Sequence, residues 1–246
     1  MTEATIDRRA HVEVKWRTDL EKCDRDAGLR RADIAPRERP DGVGHCEQAH
    51  VIRPGASWTS GAPGQEFQMA VFFTSDTHFG HARILEHCRR PFANIDEHDE
   101  ALIARWNAVV GPDDDVHHLG DFAYKCDPKR LAGIFNKLNG RKHLTLGNHE
   151  KGPTLQQRWA SEPVHYRDVT VDGQRIVLLH YSMRVWSSMR RGVIHLYGHS
   201  HGSLPGNRQS LDVGVDCWDF APVSLEQIRA RLAELPEIRY GGADED

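Results

Sequence analysis

Sixteen histidines in 246 residues is a high count, and no run of them is longer than His117-His118. A tag or a His-rich tract is thereby excluded, so spacing must decide between scatter and a metal centre. Asp76 and His78 stand in SDTHFGH, Asp121 in HHLGDF, Asn148 and His149 in LGNHE, His180 in LLHY, and His199 and His201 in YGHSH. Carboxylate oxygen, amide oxygen and imidazole nitrogen together suit Mn²⁺, Fe or Zn²⁺, and a set without cysteine argues against a soft thiolate site. These eight side chains exceed the needs of one tetrahedral zinc. They suit two ions roughly 3.5–4 Å apart that share a bridging carboxylate.

The elements that must position these groups can be read from the apolar pattern. Strands are expected at 70–75, 115–119, 142–146, 165–171, 175–180, 193–197 and 210–215. Asp172-Gly173 between the fourth and fifth signals a hairpin and an antiparallel pair. Helices are expected at 96–110, with Leu102, Ile103, Trp106, Val109 and Val110 on one face, and at 127–138, capped by Asp127 with Pro128 in the first turn. A third is expected at 224–235, opened by a Ser224–Gln227 capping box. Strands alternating with helices give an α/β fold with mixed sheets. Five of the strands end in a metal-competent side chain beside or near a glycine. The carboxyl ends of strands are where α/β folds build ligand sites, and glycine lets the chain turn sharply there.

In this order, D-x-H, G-D, G-N-H-E, H and G-H-x-H, the motifs resemble those of the calcineurin-like metallophosphoesterases, over about residues 70–215. The resemblance implies a four-layer sandwich of two mixed β-sheets flanked by helices. It also implies that Asp76, His78 and His201 hold one divalent ion, that Asn148, His180 and His199 hold the second, and that Asp121 bridges both. His149 matches the family's non-ligand histidine, the general acid. Two divalent ions are therefore the expected cofactors, Mn²⁺ first, with Fe, Zn²⁺ or Ni²⁺ as alternatives. The expected reaction is hydrolysis of a phosphodiester or phosphomonoester by a hydroxide bridging the ions, with no phosphoenzyme. The alternatives are a nuclease or nucleotide pyrophosphohydrolase on the same site, and a catalytically inactive interaction module of the same fold. GDFAYK and DTHFGH depart from the protein Ser/Thr phosphatase branch, while HFGH and Arg90-Pro91-Phe92 look more like the small bacterial and phage-associated phosphoesterases.

Other residues carry two readings each. Glu150 either orients His149 or is a surface carboxylate, and His81 either touches substrate or caps a helix. Asp212 and Asp216 either line the pocket or cap a strand. Arg184 and Arg190, in the stretch YSMRVWSSMRRG after His180, are candidates to grip phosphate oxygens, with Trp186 to stack a base. The competing reading there is a solvated segment with Trp186 buried. His118 is expected to be a packed strand residue, and His87 and His98 carry no signal.

The remainder of the chain sets bounds. Net charge is −4, from 32 basic and 36 acidic residues, which does not suggest a nucleic-acid groove or a polybasic membrane surface. The expected substrate is a small phosphate ester or a nucleotide. Five cysteines without a CxxC pair read as free thiols, and the chain shows no long apolar run or secretory leader, so a cytoplasmic location is expected. Residues 1–68, rich in charge, Pro and Gly, are expected to form a largely disordered extension. The folded domain is expected over 69–246, with Met69 a candidate for the true start.

Overall fold

A computed structural model describes residues 69–237. The expected extension over 1–68 lies outside them. Eight strands form two four-stranded sheets. In the first, β1 (Val71–Thr74), β2 (Asp115–His118) and β3 (Arg141–Leu144) run parallel, and the two-residue β8 (Val223–Ser224) adds antiparallel to β1. In the second, β5 (Gln174–Leu179), β6 (Ile194–Tyr197) and β7 (Ser210–Asp212) run parallel, and β4 (Tyr166–Val171) pairs antiparallel with β5. Both sheets are thus mixed. The β4–β5 turn places Asp172 at φ +48° and Gly173 at +73°, the left-handed pair that a two-residue hairpin demands. β8 had no signal in the sequence, because two residues are too few to show a period.

Strand alternation sorts the layers. Phe72 and Val116, paired across β1 and β2, face outward. There α2 (Ile95–Val109) and α3 (Pro128–Lys137) cover them with Leu102, Trp106, Leu131, Ile134 and Phe135. Phe73 faces inward and meets Ile176, Leu178, Leu196 and Leu211 of the second sheet. α5 (Leu225–Glu234) contributes Leu225, Ile228 and Leu232 to this central core. The outer face of the second sheet is covered by the β5–β6 connection, where Val177 packs on Trp186 and Val193. This connection holds only a single 3₁₀ turn, Met189–Arg191. The caps fall where expected: Asp127 accepts from Lys129 and Arg130 amides at α3, and the Ser224–Gln227 box closes in both directions at α5. Val109 departs from its expected place. It is exposed, because the helix ends there and Val110, in extended backbone, takes the buried position.

Among the described residues no helix is long and apolar enough to cross a membrane. Two shorter helices, α1 (Ile84–His87) and α4 (Gly152–Leu155), lie in the connections after β1 and β3.

Leu178 is fully buried between the sheets. Leu178→Ala is expected to cost about 2–5 kcal/mol of stability in denaturant unfolding. Ser224→Ala, which removes one exposed cap, should cost only ~1 kcal/mol.

Candidate metal centre

The parallel strands of both sheets deliver the motif loops to one place. Five of the seven candidate ligands sit in left-handed backbone: Asp76 at φ +58°, His78 at +51°, Asp121 at +57°, His199 at +65° and His201 at +47°. Such a conformation costs a non-glycine residue about 1–2 kcal/mol, and it persists only where surrounding structure imposes it. Here the β1–β2 ladder continues past the strands: Asp76 N–H donates to Gly120 O, His78 N–H to Asp121 O and Phe79 N–H to Phe122 O, at 2.9–3.0 Å. The two sheets are tied at the same level by Val215 N–H donating to Ser75 O, and by His199 N–H donating to Asp76 Oδ2 at 2.9 Å. Gly120 and Gly198 are required by closeness. A Cβ on Gly120 would stand 2.7 Å from Gly147 Cα and His180 Nδ1, and one on Gly198 would overlap Ser75 Oγ and Asp76 Oδ2.

Four overlapping groups of candidate donors occur among the described residues; one joins His149 to His78 and Asp121, one joins Cys88 to His201 and Asp216, and the other two correspond to the expected ligand sets. Asp76, His78 and His201 form one, with Asp76 Oδ1 3.9 Å from both His78 Nε2 and His201 Nε2. Asp121, His180 and His199 form the other. Asp121 stands between them: its Oδ2 lies 3.6 Å from His78 Nε2 and 3.5 Å from His180 Nε2. Asn148 Oδ1 is 3.1 Å from His180 Nε2. The carboxylate–imidazole separations are too long for hydrogen bonds. They fall within the span of two donors each about 2.0–2.2 Å from a shared cation. Asp76 Oδ1 and His78 Nε2 are buried without a hydrogen-bond partner in the protein, a costly condition unless something else binds them. The residues therefore fit divalent metal.

The titration of these groups records the same tension. Burial raises Asp76 to about 6 and holds His78 well below the usual imidazole range. Burial would also raise Asp121, yet the imidazoles around it, His180 foremost, hold it well below the ordinary carboxylate value. Burial lowers His149, and burial with its cationic and imidazole neighbours brings His81 down to about 4.

Outer residues aim the imidazoles. His180 Nδ1–H donates to Leu119 O at 2.8 Å, which leaves the Nε2 lone pair toward Asp121. His201 Nδ1 donates to Asp216 Oδ2 at 2.7 Å. Asp216 is in turn gripped by Arg90, Nε to Oδ1 and Nη2 to Oδ2, both at 2.8 Å. Arg90 is buried, donates to Asp76 O and Thr77 O, and reaches His98 Nε2 at 2.8 Å; His98 Nδ1 donates to Asp99. Burial opposes ionisation of Asp216, but His201 and Arg90 push it down to about 2. The local sequence assigns Arg90 no role and gives His98 no signal. The Arg90-Pro91-Phe92 motif was the one available hint, and it did not say that Arg90 reaches residue 216. His118 is fully buried, its Nε2–H donating to Thr77 Oγ1 and its Nδ1 accepting from Gly120 N–H. It is a neutral strut between two motif loops. Glu150 fits neither of its readings, because its carboxylate accepts from Phe122 N–H and Gly147 N–H and so braces the loops after β2 and β3. Asp212 likewise braces, accepting from Ser200, Gly202 and Gly214.

A cleft of about 1130 Å³ opens above the donors, and His78, Asp121, Asn148, His149, His199 and His201 reach its floor. His149 N–H donates to Asp121 Oδ1 at 2.9 Å, and its Nε2 lies 3.8 Å from Asp121 Oδ2. Arg184 and Arg190 do not line this cleft. Trp186 is buried and donates to Val193 O, which pins the intervening segment to the outer face of the second sheet. Tyr181, which sequence reasoning passed over, packs against His180 and His199 with ring centres 5.0 and 4.7 Å away.

Asp216→Asn is expected to weaken divalent-metal binding by about 10–100-fold, because the carboxylate fixes the His201 tautomer. Calorimetric titration checks this, and unchanged affinity would count against the positioning role.

No family model matches the chain. An uncharacterized protein of Methanocaldococcus jannaschii is 31% identical over 176 residues, 68% of this chain and 93% of the relative. The gene 66 protein of Mycobacterium phage D29 is 30% identical over 200 residues, 68% of this chain and 98% of the relative. Among solved structures, a protein of unknown function from Aquifex aeolicus shares the fold with a TM-score of 0.55 at 23% identity, covering 67% of this chain and 100% of that one. Relatives that align over nearly their whole length place this chain in one family with these archaeal and phage proteins, and its five motifs, each at a strand end of two facing mixed sheets, keep the order that resembles the calcineurin-like metallophosphoesterases.

Proposed function

We propose that the protein is a dinuclear metal-dependent phosphoesterase that hydrolyses a phosphodiester or phosphomonoester by direct attack of water. The observation that carries this reading is the convergence of Asp76, His78 and His201 with Asp121, His180 and His199 about one shared carboxylate, with buried donor atoms unpartnered in the protein. Asp76, His78 and His201 would hold one ion, Asn148, His180 and His199 the other, and Asp121 both. Bound there, two divalent ions would polarise the phosphoryl oxygens and make hydroxide available near neutral pH. Manganese suits the mixed oxygen and nitrogen donors.

The chain's own residues supply the rest. Asn148 contributes an amide, so it adds no negative charge that would repel phosphate. His149 is tethered through its backbone to Asp121 and reaches the cleft floor, where it can donate a proton. Burial lowers its pKa, and the negative charge of a phosphate beside it favours the imidazolium again. The oxygen of water bonds to phosphorus as the ester P–O bond breaks, the leaving oxygen takes its proton from His149, and the proton that the water sheds to solvent balances the one that returns to His149.

Purified protein loaded with manganese is expected to contain close to two ions per chain by elemental analysis, and to hydrolyse bis(p-nitrophenyl) or p-nitrophenyl phosphate. Asp121→Asn should abolish turnover, whereas activity at the wild-type level would refute the bridging assignment.

His149→Ala is expected to slow alkyl esters by about 10²–10⁴-fold, the contribution of a positioned acid. p-Nitrophenyl esters, whose leaving group barely needs a proton, should be slowed far less. Equal losses on both would remove His149 from the acid role.

A further inference from the structure

The cleft is larger than one phosphoryl group needs. Its volume of about 1130 Å³ slightly exceeds the roughly 300–1,000 Å³ usual for small-molecule sites. Beyond the candidate ligands its wall carries Arg83, Arg89 and Lys125, and it exposes no carboxylate other than Asp121. Arg83 is the residue that precedes α1, and Arg89 follows the same short helix at φ +51°. Lys125 leaves the Gly-Asp loop at φ +52°, with its ammonium 5.1 Å from the centre of the Tyr124 ring. Tyr124 is itself packed on His149 and His81, at 4.3 and 4.7 Å between ring centres. That packing fixes the residue beside Lys125 next to the metal-site histidines.

Five of the described arginines are held in ion pairs. Arg90, Arg105, Arg130, Arg141 and Arg175 each face an aspartate. Arg83, Arg89 and Lys125 have no ion-pair partner among the described residues. All three line the cleft, and their positive charge favours an anion within it. The scissile phosphate belongs on the floor, at Asp121 and the imidazoles. The wall has room and charge for another anionic group.

We propose that this wall binds a second phosphate, so that the natural substrate is a phosphate ester carrying a further phosphoryl group beyond the one attacked, of the kind found in a 5′-phosphorylated dinucleotide. Arginine suits a terminal phosphate because its planar fork offers paired N–H donors. The inference rests on the phosphoesterase reading above and narrows its substrate class.

The test compares thymidine dinucleotide with and without a 5′-phosphate, pTpT against TpT, in manganese-loaded protein. Bis(p-nitrophenyl) phosphate reports ester hydrolysis as such. A parallel pair, adenosine 3′,5′-bisphosphate against adenosine 3′-monophosphate, covers the case in which the ester attacked is a monoester. In at least one pair kcat/KM is expected to be about tenfold or more higher for the member with the extra phosphate, as charge-assisted hydrogen bonds to it allow. The Arg83→Gln/Arg89→Gln/Lys125→Gln variant should bring that ratio close to one, and Arg184→Gln/Arg190→Gln should leave it at the wild-type value. Calorimetric titration of metal-free protein should show the same order of affinities, because the three cations belong to the chain itself. Equal handling within both pairs, or a triple variant that keeps the preference, overturns the inference, while turnover of the reporter leaves the phosphoesterase reading standing. A preference in binding without hydrolysis of any ester supports the phosphate-binding wall and overturns the catalytic reading.

Discussion

Two carboxylates, Asp76 and Asp121, are buried where the two sheets meet, and keeping them there shapes the rest of the site. An ionised carboxylate withdrawn from water is costly unless it is paired or binds metal. Backbone amides offset part of this: His199 N–H reaches Asp76 Oδ2 and His149 N–H reaches Asp121 Oδ1. Each tether also joins a loop of one sheet or strand end to another, so the same hydrogen bonds that solvate the acids set the distances between motifs. The left-handed residues follow from this requirement. A chain leaving a strand and turning its side chain back over the strand end has few conformations available, and the ladder continued through Gly120, Asp121 and Phe122 holds it in one of them.

Arg90 does for the periphery what the amides do for the centre. Its guanidinium is buried and touches Asp76 O, Thr77 O, His98 and Asp216 at once, so it joins the first motif loop to the segment after β7. A buried cation of this kind is stable only when its donors are matched, and Asp216 answers with a bidentate contact. The consequence for chemistry is indirect. Asp216 fixes the tautomer of His201, and a residue more than a hundred positions away thereby decides which nitrogen faces Asp76.

The centre was legible in the sequence because its information is local. A strand is an apolar run, and a polar residue beside a glycine at its end is visible without knowing the fold. The capping residues Asp127 and Ser224 and the Asp172-Gly173 turn were legible for the same reason. Arg90, His98, Asp99 and Asp216 were not, since their roles depend on contacts between residues up to 126 positions apart, and nothing in the local pattern of RRPF or DEHDE announces the partner. Arg184 and Arg190 show a related limit: closeness in sequence to His180 does not bring them into the lining of the cleft, and Trp186 and Val193 of the same segment are buried on the outer face of the second sheet.

Net charge is also a poor guide to this cleft. A total of −4 argues against a protein-wide attraction for polyanions, and the bound holds at distances beyond about 8–10 Å, where salt screens individual charges. Inside the cleft the total is beside the point. Arg90, Arg130 and Arg141 are neutralised locally by aspartates. What is left facing the floor is Asp121, surrounded by imidazoles, and a wall with Arg83, Arg89 and Lys125. The field that a small anion meets there is set by which cations the fold leaves unpaired beside the site, and the sum over the chain does not contain that information.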